Sequence, residues 1–141
     1  MPYSYIEHVS DIGIRATGAT LEEAFESGAQ ATLDVMFELD SIEEALSVPI
    51  TAEAPRIDLL FVEVINEVLS VQSRQELALK RLNALEISPV DGSFVFRGSA
   101  FGERLDLKKH RVRTEVKGAT YSGLTYSVID GVHTLACILD V

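Results

Sequence analysis

The run Pro55-Arg56-Ile57-Asp58-Leu59-Leu60-Phe61-Val62-Glu63-Val64-Ile65-Asn66-Glu67-Val68-Leu69-Ser70-Val71 decides the architecture of this chain. Pro55 suits the first turn of a helix, where its missing N–H costs nothing. Ile57, Leu60, Phe61, Val64, Val68 and Val71 recur at helical spacing. Leu59, Val62, Ile65 and Leu69 broaden that stripe, so the spacing predicts a helix to about Arg74 that is buried on more than one side.

Upstream, residues 47–51 read as a strand, and 38–45 as an acidic connection. An earlier helix opens with Thr20 as cap and Glu23 three residues on, the capping-box arrangement. Leu21, Ala24, Phe25, Gly28, Val35 and Met36 share its apolar face; Thr32 interrupts that face and Ala29 and Leu33 widen it. Before it, residues 3–7 form a short strand, and 12–17 alternate, with Ile12, Ile14 and Ala16 on one side. Downstream, strands begin at Leu82. Asp91-Gly92 predicts a hairpin between 84–87 and 93–101, and Asp130-Gly131 a second between 124–129 and 132–140. Gly118 and Gly123 bracket a bend or bulge. The expected fold is α+β, a two-layer arrangement of two main helices on a mainly antiparallel sheet of seven or eight strands, within one domain spanning residues 1–141.

Composition narrows the function classes. A hydrophobic content of 47% argues against disorder. No apolar run is long enough to span a bilayer, and the first residues lack the basic region and apolar core of a secretion signal, so no membrane role is expected. The single cysteine, Cys137, lies in an apolar strand-like run and reads as a small buried hydrophobe; a cytoplasmic location fits it. The net charge of −10 opposes direct binding to a phosphate backbone. The one basic cluster, Lys108, Lys109, Arg111 and Arg113 with Lys117 nearby, has a solvated turn and strand edge as its ordinary reading. RNA, if involved, is expected only indirectly, through a partner with a basic cleft.

Familiar catalytic patterns are absent: no phosphate loop, dinucleotide-binding glycines, serine nucleophile elbow or Cys/His zinc pairing. His8, His110 and His133 are far apart and read as structural or solvated. Asp11 stands between the first two strand segments and reads as an Asx-turn residue or as a ligand. Asp140 continues a strand face shared with Thr134, Ala136 and Ile138, which calls for a partner unless the terminus solvates it. If Asp11, Asp140 and the terminal carboxylate of Val141 met, the all-oxygen cluster would need a cation, with calcium or magnesium suited to it and His8 an outer partner. Glu115 and Lys117 are expected to share a strand face, as an exposed ion pair or as a lysine presented beside a metal site.

Segments at the two ends carry a resemblance. The first is Tyr5-Ile6-Glu7-His8-Val9-Ser10-Asp11-Ile12-Gly13; the others are Thr114-Glu115-Val116-Lys117 and the closing Leu139-Asp140-Val141. Between them stand Thr20-Leu21-Glu22-Glu23-Ala24-Phe25, Asp34-Val35-Met36, Asp58-Leu59-Leu60, Asn66-Glu67-Val68-Leu69 and Gly102-Glu103. In this order and spacing the chain resembles the archease family. That resemblance implies an accessory protein, not an enzyme and with no catalytic residue of its own. The implied partner is the GTP-dependent RNA ligase of tRNA splicing and RNA repair, whose guanylylation and repeated turnover the family promotes. It further implies that Asp11 and Asp140 match the family's metal-binding acids with Val141 supplying terminal oxygens, that the metal is calcium, and that Lys117 belongs to the partner-contact surface.

The chain departs from the family pattern at Glu7, where Asp is usual, at Val9-Ser10 in place of Thr-Ala, at Arg113 in place of Gly, and at Gly118 in place of Ala. Asp11, Lys117 and Asp140 are retained, and Arg113 is expected to add bulk beside the partner surface. Two other readings of the same acids are a metal-dependent phosphoesterase and a broader chaperone or modulator of RNA-modifying enzymes.

Overall fold

A computed structural model describes residues 2–7 and 11–141. The order is β1 (Tyr3–Glu7), β2 (Asp11–Gly18), α1 (Leu21–Met36), a single 3-10 turn (Leu39–Ser41), β3 (Leu46–Ala54), α2 (Ile57–Arg74), β4 (Leu77–Val90), β5 (Ser93–Arg104), β6 (Gly118–Ile129) and β7 (Val132–Asp140). The class is α+β, as expected: two helices packed on antiparallel strands. The strands divide between two sheets, of order β1-β2-β7-β6 and β3-β5-β4. α1 packs on β2 and β4, and α2 on β3 and β6, so each helix touches both sheets. This placement explains the broad stripe of α2, whose buried residues run from Leu60 to Gln72 around more than one side.

Local chemistry sets the element ends. Thr20 Oγ1 accepts the Glu23 N–H at 3.1 Å and the Glu23 carboxylate accepts the Ala19 N–H at 3.0 Å, closing the start of α1. Thr32, which interrupts the apolar face, is buried and donates its hydroxyl to the Gly28 carbonyl at 2.9 Å. Both hairpins turn through paired left-handed residues, Asp91-Gly92 (φ 49° and 81°) and Asp130-Gly131 (φ 52° and 77°). β6 slips in register against β7 between Thr120 and Thr125, with Gly123 at φ 63°, at the bulge that Gly118 and Gly123 bracket.

The helices approach closely at Gly28, where a Cβ would stand 2.3 Å from Phe61 Cε1. Phe25 meets Phe61 edge-on at 5.4 Å and stacks on Phe96 at 5.8 Å, joining α1, α2 and β5 in one core. Gln72 is buried beside it, its Oε1 accepting the Leu79 N–H at 2.8 Å. No helix among the described residues is long and apolar enough to cross a membrane.

The loop after β5 is closed by a carboxylate. Glu103 accepts the Glu43 N–H at 2.7 Å, the Lys109 ammonium at 2.9 Å and the His110 Nε2–H at 3.1 Å. His110 is buried, and its Nδ1 accepts the Asp106 N–H at 2.9 Å, which leaves the ring proton on Nε2. These donors, the Glu43 N–H foremost, push the Glu103 carboxyl down to about 2. The folded value is depressed, so the stabilisation is complete above the ordinary value of 4.5 and drains away as pH falls toward about 2. Glu103→Gln is therefore expected to flatten the acid limb of stability in that window. Thermal unfolding followed from neutral pH into acid reads this, and an acid limb identical to wild type would count against the clasp.

Candidate functional site

Alternation in β2 and β7 decides where the acids point. Ile14 and Ala16 on β2, and Leu135, Cys137 and Leu139 on β7, are buried against the helices. Asp11 and Asp140 occupy the opposite phase and face away from that core. The register pairs Asp11 directly with Asp140 across β2 and β7. Directly opposed residues of an antiparallel pair project from the same face, so the two carboxylates, from opposite ends of the chain, stand side by side. Asp11 is half-buried and Asp140 exposed. On the other side of β7, Gly118 pairs with Asp140, and the Lys117 N–H donates to the Asp140 carbonyl at 2.8 Å. The fold thus gathers Asp11, Lys117, Asp140 and the adjoining Val141 at one end of the four-stranded sheet.

The donor chemistry fits a hard cation. Two like charges opposed across a strand pair destabilise each other, and a cation between them would reverse that sign. Both groups offer carboxylate oxygens, which suit calcium or magnesium. Among the described residues no three His, Cys, Asp or Glu side chains are grouped to hold a metal. Among the described residues the register brings two acids together, and further oxygens would come from Val141 or from solvent. His8, read as an outer partner, and Val9-Ser10 lie outside the described residues.

The segment containing Glu115 and Lys117 was expected as a strand; it is instead an unladdered stretch leading into β6. Both side chains are exposed, and among the described residues no ion pair joins them. They border a cleft of about 500 Å³ against α2, floored by Asn66, Ser70 and Ser73. Asn66 reaches across to Ala119, donating Nδ2–H to its carbonyl at 3.2 Å and accepting its N–H at 2.7 Å.

Arg113 is exposed and lies along the surface against the end of α1. Its guanidinium pairs with Glu38 and, at 3.6 Å, with Asp34, while its backbone N–H donates to the Met36 carbonyl at 2.7 Å. These contacts hold the side chain at the C-terminal end of α1. The rest of the basic cluster is a solvated turn, with Lys108 and Arg111 exposed and Lys109 bound to Glu103. His133 is half-buried and bonded to the Tyr126 hydroxyl at 2.8 Å. Burial pushes the Cys137 thiol up to about 12, in keeping with a packing role.

Fold and sequence together define the class. Residues 3–141 match the sequence model of the Archease protein family, and this chain belongs to that family. It is 36% identical over 119 residues to the protein archease of Pyrococcus furiosus, covering 84% of this chain and 83% of that one. It is 33% identical over 139 residues to the protein archease of Sulfolobus acidocaldarius, covering 99% and 98%. Its fold superposes on the solution structure of protein 1598 of Methanobacterium thermoautotrophicum with a TM-score of 0.87 at 26% identity, covering 99% of each chain. A crystal structure from Thermotoga maritima, described as an archease and possible chaperone, shares the fold with a TM-score of 0.58 at 17% identity, covering 96% of this chain and 94% of that one.

Proposed function

We propose that this protein is an accessory activator of the GTP-dependent RNA ligase of tRNA splicing and RNA repair, acting as a protein cofactor in the cytoplasm and not as an enzyme. The observation that carries the reading is the facing pair Asp11 and Asp140, with Lys117 bonded to the same strand, in a chain of the archease family. Asp11, Asp140 and Val141 would hold a calcium ion, which would supply positive charge and open oxygen coordination at the end of the sheet. Lys117 would stand beside it and touch the ligase. The acidic surface, net −10, suits a partner whose own cleft is basic because it handles RNA, so RNA is met only through the ligase.

Multiple-turnover ligation by the cognate ligase, with GTP and its metal, tests this directly. Wild-type protein is expected to raise turnover and ligase guanylylation. Asp11→Ala, Lys117→Ala and Asp140→Ala, each folded, are expected to lose most of that stimulation. Equal stimulation by wild type and Asp140→Ala would sink the metal-tip mechanism. Turnover of a phosphoester by the isolated protein would favour the phosphoesterase reading instead.

A further inference from the structure

We infer that Asn66 is a positioning residue for the acid–lysine site. The inference rests on the proposed function and adds to it the part of the molecule that sets the site's geometry. Asn66 lies on α2, beside the buried Ile65 and two residues before the buried Val68. Its carboxamide acts toward Ala119 as a neighbouring strand would, donating to the carbonyl at 3.2 Å and accepting the N–H at 2.7 Å. One side chain therefore satisfies both backbone groups of a residue on the edge strand β6.

The position of Ala119 propagates. Gly118, its neighbour, pairs with Asp140, and a Cβ on Gly118 would stand 3.2 Å from Asn66 Oδ1, so the amide and the strand are already in close approach. Lys117, one residue further, donates its N–H to the Asp140 carbonyl. Residues 113–117 have no ladder of their own, so the Asn66 amide and the Lys117–Asp140 bond, with the buried Val116 and the Gly118–Asp140 pairing, set where Lys117 stands relative to the acids. Neither carboxylate touches Asn66. Its effect on the site would pass through the backbone of residues 117–119, the role that outer hydrogen-bonding groups play around metal ligands.

Calcium titration by calorimetry, paired with amide hydrogen exchange, tests this on wild type, Asn66→Ala and the control Val71→Ala. Val71 is buried on α2 and does not line the cleft beside residues 115–119, and its truncation should weaken the helix packing without removing a side-chain polar link. Asn66→Ala is expected to weaken calcium binding about ten-fold or more, as loss of an outer hydrogen-bonding group does. It is also expected to speed exchange of the Lys117 and Ala119 amides relative to the rest of β6. Val71→Ala should leave calcium affinity and those two amides close to wild type even where its melting temperature is lower. Calcium affinity unchanged in Asn66→Ala, with wild type binding normally, overturns the inference. A wild type that binds no calcium defeats the proposed metal site instead; Asn66 then stands or falls on the Lys117 amide, whose unchanged protection in Asn66→Ala overturns it.

Discussion

Phe61→Ala is expected to cost about 3–5 kcal/mol of stability, the usual range for emptying a buried aromatic site. For a chain of this size that corresponds to roughly 10–15 °C in melting temperature. The ring is fully buried, meets Phe25 edge-on, and fills the space over Gly28 where the two helices approach. Gly28→Ala alone should also be harmful, by about 1–3 kcal/mol, because the new methyl would overlap the ring at 2.3 Å. The informative result is the double variant. With the ring gone, the nearest remaining atom to the added methyl is Ala16 Cβ at 3.5 Å, an ordinary contact. The double variant should therefore lose less than the sum of the singles, with a coupling on the order of 1–2 kcal/mol. Denaturant titration of the four proteins measures it, and strictly additive losses would show that Gly28 is not held open for Phe61.

Asp140→Asn should separate the metal from the fold. Without calcium the variant is expected to be slightly more stable than wild type, by up to about 1 kcal/mol, because a like-charge opposition across β2 and β7 is relieved. With calcium the order should invert. At about one hundred times its dissociation constant, calcium would add about 2.7 kcal/mol to wild type, and little or nothing to the variant. Thermal unfolding with calcium and with chelator reads both signs. An equal calcium-induced shift in the two proteins would remove Asp140 from the site.

Much of the fold was legible because its signals were local. Thr20 with Glu23 marked one helix start, the α2 stripe ended at Arg74 as its spacing indicated, and the two Asp-Gly pairs placed both hairpins. What was hidden depended on distant parts of the chain. β4 begins at Leu77 and not Leu82, because Glu76 turns the chain at φ 54° without a glycine to announce it. Leu77, Ala78 and Leu79 are all buried, so they show no alternation by which a strand could be recognised. Glu115 and Lys117 alternate like strand residues, yet the segment finds no strand to pair with until Gly118. The division into two sheets was equally invisible, since pairing partners leave no mark on a single strand's pattern. For the candidate site, residue type and resemblance pointed to Asp11, Lys117 and Asp140, and the register supplied their adjacency. Asn66 was visible only as one residue of a motif. Its signal is one of two amides in α2, and its partner, Ala119, is a backbone with no side-chain signature.

The sheet order β1-β2-β7-β6 has a temporal meaning. β7 lies between β2 and β6, so until it is in place β2 is paired with β1 alone and the four-stranded sheet is not joined. The Asp11–Asp140 pairing spans nearly the whole chain, the kind of contact whose closure entropy delays it in folding. A molecule with β7 undocked can carry formed hairpins and helices and still have its two acids far apart. Juxtaposition of the two carboxylates is therefore a mark of finished folding: a partner that read them would engage only molecules whose assembly is complete.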